Sequence, residues 1–357
     1  MRRKMYALFL ILAMMISCLG CQVQDAASQT TEADAVRITE APSTQAAIPA
    51  ETTQPEEADF YELVFDTSDD AGKLTARYLY LTLEDEAGEV YPGDCAIYTS
   101  PDGYTMLVDC GNQYAASEMV AQLQDMGIER LDIVVFSHPH ADHVGGFVTL
   151  TEHFEVGQVY TNGHDYSTST FQGAMAKIKE LDIPCEILSD GDTFLFGEEV
   201  QVEVFAPTDE AVAGVTELIV DANDCSLAMR LSYGESSFWT SGDLYTTGEG
   251  ELVDAHGEEI RSDVVKMNHH GKDTSNAAPF VKALGGKIAV AMLNNVSSQT
   301  VALRYMVNGA EPFYTAADGA IRISTTGDGV YDVQTQFLRK VPFLSEPPAD
   351  GHQVIGQ

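Results

Sequence analysis

Apolar and polar positions alternate in part from Lys73 to Leu83 (Leu74, Ala76, Tyr78, Tyr80, Leu81, Leu83), and that period predicts a strand. Asp94–Thr99 and Tyr104–Asp109 flank the turn-forming tetrapeptide Ser100-Pro101-Asp102-Gly103, which predicts a hairpin. From Ala115 to Met126 the spacing becomes helical (Met119, Val120, Leu123, Met126), and Gly127 ends it. Leu131–Phe136 is a short, mostly apolar run, as in a buried strand. A helix over Phe171–Leu181 and a strand over Cys185–Leu188 follow. Further strands are predicted at Val200–Phe205, Ser226–Leu231, Ser237–Thr240, Asp263–Met267 and Lys287–Leu293, with a helix at Ala277–Leu284. Strand-rich halves interleaved with helices predict a layered α/β sandwich.

The two ends of the chain read differently. Arg2, Arg3 and Lys4 precede an apolar run from Met5 to Ile16, and Ser17-Cys18-Leu19-Gly20-Cys21 closes it, the pattern of a bacterial lipoprotein export signal. The expectation is a signal over 1–20, lipidation at Cys21, and an extracytoplasmic protein held to the cell membrane by its lipid alone. Residues 22–58 are Ala, Thr, Gln, Glu, Ser and Pro with few large apolar side chains, so 21–58 is expected to be a flexible tether. The folded domain is expected over 59–340 and a tail over 341–357, where Pro342, Pro347, Pro348 and Gly351 fall.

Composition agrees with a large core: 45% of the 357 residues are hydrophobic. Charge narrows the partners. Nineteen Lys and Arg face 55 Asp and Glu, a net −36. Removing the three basic residues of the signal and the −6 of the tether leaves about −33 on residues 59–357. Such a surface repels nucleic-acid and other polyanionic backbones and gathers cations. Cys95, Cys110, Cys185 and Cys225 form no C-x-x-C pair, which excludes a cysteine zinc knuckle. Cys95 and Cys110 end the predicted hairpin and could be close; buried free thiols are the other reading.

The chemistry begins where the Leu131–Phe136 strand ends, in Ser137-His138-Pro139-His140-Ala141-Asp142-His143-Val144-Gly145-Gly146. Nine histidines occur in the chain, and three of them stand here beside an aspartate. Imidazole and carboxylate suit zinc or another first-row divalent ion. In extended backbone His138 and His140 face one way and can chelate one ion; Asp142 and His143, past the turn, can reach a second.

With these residues the chain resembles the metallo-β-lactamase superfamily, whose H-x-H-x-D-H signature it carries whole. The resemblance runs over roughly Leu74 to Val333 and includes Tyr104–Gly111, Ser241-Gly242-Asp243 and Asp263–Gly271. It implies a four-layer αββα sandwich and two divalent ions, zinc first and manganese second. As ligands it implies His138, His140, Asp142, His143, Asp243 as a bridge, and one of His269 and His270; His270 is preferred, with His269 nearer the substrate, and the reverse order stays open. Asp109 would orient ligands from beneath. Asp142 and His269 would be the catalytic proton carriers. The superfamily's histidine after the middle strand is absent, and Asn223 or Asp224 takes its place in Asp221–Leu227. His164, in Thr161–Tyr166, would line the substrate pocket or add a ligand. Lys266 and Lys272, flanking the histidine pair, could bind phosphate or simply be solvated.

Within the superfamily the chain resembles two groups. Pro92–Ala96 and Ala317–Ile321 are similar to the hydrolase domain of the competence DNA-uptake channel protein. Gly242-Asp243-Leu244 and Asn268-His269-His270 are similar to the phosphorylcholine esterase of teichoic acid. Both act on phosphodiesters, which implies a phosphoester hydrolase using a metal-activated water on a small-molecule or cell-wall substrate. The alternatives are a nuclease-like, competence-related hydrolase, which the charge disfavours, and a non-catalytic tethered metal-binding or wall-interaction protein.

Overall fold

The computed structural model describes residues 59–82, 93–215, 219–293, 298–338 and 351–356. The export signal, Cys21, the tether and residues 341–350 of the expected tail lie outside the described residues. In chain order the strands are β1 (Leu74–Tyr78), β2 (Ala96–Thr99), β3 (Thr105–Val108), β4 (Arg130–Val135), β5 (Glu155–Thr161), β6 (Cys185–Ile187), β7 (Thr193–Phe196), β8 (Val200–Ala206), β9 (Ala228–Tyr233), β10 (Ser236–Thr240), β11 (Val264–Lys266), β12 (Ile288–Ala291), β13 (Glu311–Tyr314), β14 (Ile321–Thr325), β15 (Tyr331–Thr335) and β16 (His352–Ile355). They form a nine-stranded sheet, β16-β15-β14-β1-β2-β3-β4-β5-β6, and a seven-stranded sheet, β13-β12-β11-β10-β9-β8-β7.

Both faces of the central strands are buried, and the pleat sorts their side chains between layers. Tyr98, Met106 and Val108 point into the core between the sheets, where they meet Val202, Leu231, Phe238, Ile288 and Val290. Their neighbours Ile97 and Leu107 point the other way, under the helices Ala116–Asp125, Phe147–His153 and Ser169–Glu180. On the far side Trp239, Ala289 and Ala291 lie under Thr246–His256, Ala278–Leu284 and Gln299–Val307. Helix, sheet, sheet and helix make the αββα sandwich that the sequence motifs imply. Burial on both faces explains why β4 and β12 read as apolar runs rather than as alternation.

Expected elements that end on turn or cap residues are found within a few residues of their expected limits, such as Ala116–Asp125 and Ser169–Glu180. The strand expected to run to Leu83 stops at Tyr78. The end of the chain differs more. His352–Ile355, expected as tail, pairs antiparallel with Tyr331–Gln334 of β15. The physical reason is that β15 would otherwise present an open row of backbone donors and acceptors. The domain therefore includes residues beyond 340. Cys95, Cys110 and Cys225 are buried free thiols and Cys185 is an exposed one, so the described cysteines form no disulfide. No helix among the described residues is long and apolar enough to cross a membrane.

Candidate metal centre

Strands β3 and β4 run parallel, as do β10 and β11. The loops leaving their C-terminal ends meet at one rim of the sandwich, where α/β folds place ligands. From the first sheet come Asp109 and the loop Ser137–His143; from the second come Asp243 and His270. A backbone bond locks the two sides together, Leu227 N donating to Ser137 O at 2.9 Å, and within the second side His269 N donates to Gly242 O at 3.2 Å. Gly242 has φ 49°, and a Cβ there would lie 2.7 Å from Ser137 Oγ, so glycine is required where Asp243 is delivered.

Four side chains converge. His143 Nε2 is 3.2 Å from Asp243 Oδ2, and His270 Nε2 is 3.3 Å from both Asp243 Oδ2 and Asp142 Oδ2. Ligand atoms of Asp142, His143, Asp243 and His270 all lie within 4.8 Å of one another. Beside them His138 Nε2 and His140 Nδ1 face each other at 2.9 Å. Of the histidine pair, His270 is the one inside; its ring is buried, and Nδ1 contacts Asp94 Oδ1 at 2.9 Å and Met292 O at 3.1 Å. His269 sits at the rim, with Nε2 3.9 Å from Asp243 Oδ2 and Nδ1 2.5 Å from Thr274 Oγ1. Both take left-handed backbone angles, φ 47° and 53°, which for residues with a Cβ persist only where surroundings enforce them.

The enforcing structure is a buried polar web beneath the turn. Glu249 accepts from Asn268 Nδ2 (2.7 Å), Asn276 N (2.5 Å) and Ala277 N (2.7 Å), and Asn276 Oδ1 accepts from Asn268 N (3.1 Å) and Tyr305 Oη (3.0 Å). Burial outweighs these donors and raises the Glu249 carboxyl to about 7. Its folded pKa lies above the unfolded 4.5, so the folded state holds the proton more tightly and Glu249's contribution to stability falls as pH rises from about 4.5 to about 7. Denaturant unfolding of Glu249→Gln beside the wild type is expected to show a stability gap that shrinks from pH 5 to pH 7.5. A constant gap would contradict the assignment.

Asp109 and Asp94 hold the ligands from behind. Asp109 (φ 62°) accepts from Ser137 N at 2.8 Å and from Ser137 Oγ at 2.7 Å, and its Oδ2 is 2.8 Å from His143 Nδ1. That contact fixes which nitrogen of His143 faces the centre. Asp94 does the same for His270 and also pairs with the buried Lys266, whose Nζ donates to Gly242 O at 2.6 Å. Lys266 is thereby occupied inside the protein and is not placed to bind a phosphate. Gly93 brings Asp94 in: a Cβ on it would be 2.6 Å from Asp142 O. Asp94 was not legible as a site residue from spacing alone; its only signal was the Pro92–Ala96 similarity.

The two candidates for the missing histidine part company. Asn223 is buried, and its side chain lies against His140, whose protonated form it favours. Asp224 turns away and accepts from Tyr245 N (3.0 Å) and Gly248 N (3.2 Å), capping the helix Thr246–His256. Of the two, Asn223 is the one placed beside His140. His164 is buried next to Tyr166, their ring centroids 5.4 Å apart, and Tyr166 in turn is 5.5 Å from His140. Tyr245 stands 4.9 Å from His269 on the opposite side. Neither tyrosine was singled out by sequence.

The electrostatics separate the histidines. Burial and the neighbouring His143 hold His138 well below the usual imidazole range, and His140 is lowered by the same two causes. Against desolvation, Asp243 and Asp109 push His143 well up, and Asp243 and Asp94 do so for His270. Despite its burial, Asp243 is held well below the carboxylate range by His270 and His143. The donor set therefore carries buried negative charge that calls for cations. His140 Nε2, His143 Nε2 and Asp243 Oδ1 are buried without a hydrogen-bond partner, and imidazole with carboxylate is the chemistry of divalent first-row metal sites. The residues fit a pair of divalent ions.

The chain belongs to the metallo-beta-lactamase superfamily, whose family model matches residues 88–293. It is a metallo-β-lactamase-fold hydrolase with a candidate site for divalent metal ions. Competence protein ComA of Neisseria gonorrhoeae is 28% identical over 244 residues, 67% of this chain and 31% of that one. ComE operon protein 3 of Bacillus subtilis is 26% identical over 172 residues, 48% of this chain and 21% of that one. The chain thus spans a third or less of these relatives' lengths. Among solved structures, the metallo-beta-lactamase fold protein YhfI from Bacillus subtilis is similar with a TM-score of 0.43 at 13% identity, over 68% of this chain and 96% of that one.

Proposed function

We propose that the protein is an extracytoplasmic, lipid-anchored phosphoesterase that cleaves small or cell-wall phosphodiesters with two divalent ions, zinc or manganese. The observation that carries this reading is the convergence of Asp142, His143, Asp243 and His270 beside the His138/His140 pair at the strand ends. Divalent ions, when bound, supply Lewis-acid polarisation and neutralise charge on a transferring phosphoryl group. His138, His140, Asp142, His143, Asp243 and His270 would hold them. Asp142 is the most exposed of the ligand carboxylates, with a side chain 32% accessible, and despite desolvation His143 and His270 keep it ionised, so it can take a proton at Oδ1 or Oδ2. His269 is held neutral by burial down to about pH 4. Its Nε2 faces Lys272 Nζ at 3.2 Å, and a lysine offers only donors, so that nitrogen is a hydrogen-bond acceptor at the rim of the centre. Tyr166 and Tyr245 flank this rim and would position the ester's organic group. Lipidation at Cys21, which the first 21 residues support, would place the site outside the membrane.

A second reading, a nuclease-like hydrolase, is favoured by the competence relatives, one matched over 67% of this chain and the other over 48%. Charge separates the two, since about −33 on residues 59–357 repels a long polyanion at range while the loaded centre attracts a single phosphoryl group. Bis-p-nitrophenyl phosphate and p-nitrophenylphosphorylcholine are expected to be turned over with higher kcat/KM than duplex DNA at low ionic strength. Fast DNA degradation without turnover of either small ester would reverse the assignment. No turnover of any of the three by metal-loaded protein would leave the non-catalytic, wall-binding reading.

A further inference from the structure

We infer that the wall around His269 is a subsite for a second anion: with a phosphoryl group at the centre, Lys272 holds a further negative charge of the substrate and Tyr245 covers the carbon chain between the two. The inference rests on the phosphoester reading above and narrows it to phosphoesters that carry a second acidic group. Its starting observation is how Lys272 is partnered. Other basic side chains of the domain are matched to carboxylates, Arg77 to Asp70, Arg230 to Glu203 and Lys287 to Asp263. The exposed Lys272 is matched to none among the described residues; its Nζ contacts His269 Nε2 at 3.2 Å, and that imidazole is neutral. An ammonium has three N–H donors, so after His269 has taken one, two remain for an incoming anion. The adjacent Asp273 is engaged elsewhere: Oδ2 accepts from Ser298 Oγ at 2.7 Å and Oδ1 lies 3.7 Å from Arg304.

The wall is tied down beneath its exposed side chains. Lys272 N donates to His269 O at 3.0 Å, and Lys272 O accepts from Ser275 N and Asn276 Nδ2, each at 3.2 Å. Tyr245 N donates to Asp224 Oδ1 at 3.0 Å, and Thr246 N beside it donates to Thr274 O at 3.1 Å. That last bond joins the two segments, with the Tyr245 ring 4.9 Å from that of His269 and Thr274 Oγ1 2.5 Å from His269 Nδ1. The same Nε2 that Lys272 contacts is 3.9 Å from Asp243 Oδ2, so a short carbon chain spans from the centre to the ammonium. Charge at two ranges then sets the choice. The −33 on residues 59–357 opposes a long polyanion, but that field is screened beyond about 8–10 Å at ordinary salt, whereas Lys272 acts at contact. The subsite therefore favours a compact second anion and disfavours the quaternary ammonium of a choline ester.

The test measures binding rather than turnover. Full-length protein loaded with Zn²⁺ is titrated by calorimetry with propylphosphonate, 3-phosphonopropionate and 2-(trimethylammonio)ethylphosphonate, probes of similar length that end on a methyl, a carboxylate and a quaternary ammonium. The carboxylate is expected to lower Kd about tenfold relative to the methyl, and the ammonium to raise it. In Lys272→Gln the preference for the carboxylate should vanish, and in Lys272→Arg it should persist, because the charge is kept. Equal affinity for the carboxylate and methyl probes in the wild type would overturn the proposal. So would a carboxylate preference that survives in Lys272→Gln, tighter binding of the ammonium probe, or no binding of any of the three. Because no turnover enters, a Lys272-dependent carboxylate preference in a protein that hydrolyses no phosphoester would sink the proposed function and leave the anion subsite standing. Hydrolysis of small phosphodiesters without that preference would do the reverse.

Discussion

Asp243→Asn is expected to lower kcat by on the order of 10³-fold or more on whichever phosphoester the protein hydrolyses best. The substitution removes one negative charge from the middle of the site, where Oδ2 lies within 3.3 Å of both His143 Nε2 and His270 Nε2. An amide in that place is neutral and can turn a donor toward imidazole nitrogens that must serve as acceptors for an ion. Metal content should fall together with turnover, since Asp243 Oδ2 faces both buried imidazoles of the four-residue group. His269→Ala gives the contrast: it too should slow turnover, but zinc per chain should stay at the wild-type value because His269 stands at the rim. Wild-type turnover by Asp243→Asn, or metal loss in His269→Ala, would refute the placement of these residues.

The second large effect is on stability. Asp94 and Lys266 form an ion pair in which each side chain is only 3% accessible. Removing one partner of a buried pair leaves the other charge stranded, at a cost of about 3–5 kcal/mol. Asp94→Ala is expected to lose that much in denaturant unfolding, and its turnover should fall because His270 loses the carboxylate at Nδ1. The double variant Asp94→Ala, Lys266→Met separates the two roles. With the Asp94–Lys266 pair removed as a unit, most of the stability should return, while turnover should stay low because His270 is still unbraced. Recovery of both together would mean that Asp94 acts on the fold alone. An unchanged unfolding midpoint in Asp94→Ala would mean that the pair is not what holds this corner.

What was readable in the sequence follows from how local each signal is. The H-x-H-x-D-H run places four ligand residues within six positions, so a strand followed by one turn brings them together without help from the rest of the chain. The hairpin over Ala96–Val108 and the helix Ala116–Asp125 were visible because their turn and stop residues lie beside them. Asp94 was not visible. It reaches His270 across 176 positions, and only the folding of one sheet onto the other defines that neighbourhood. Asp224 misled because its acidic side chain stands beside the position of the absent histidine, while the helix it caps, Thr246–His256, has too weak an apolar periodicity to be predicted. The final strand β16 is four residues long and has no clean alternation; only the open edge of β15 makes it a strand.

The ligand set is divided between the two sheets, and this bears on when the ions can be acquired. Asp142 and His270 are 128 positions apart, and neither sheet alone carries the four-residue group. The backbone between them has to complete β5 through β11 before those side chains meet. Contacts of such sequence separation form late, after the entropy of closing the intervening chain has been met by packing between the layers. Metallation would accordingly be a late step of maturation, drawing on the ions of the compartment in which the sandwich closes. If the chain crosses a membrane unfolded, its metal is chosen by the supply outside the cell rather than by the cytoplasmic pool.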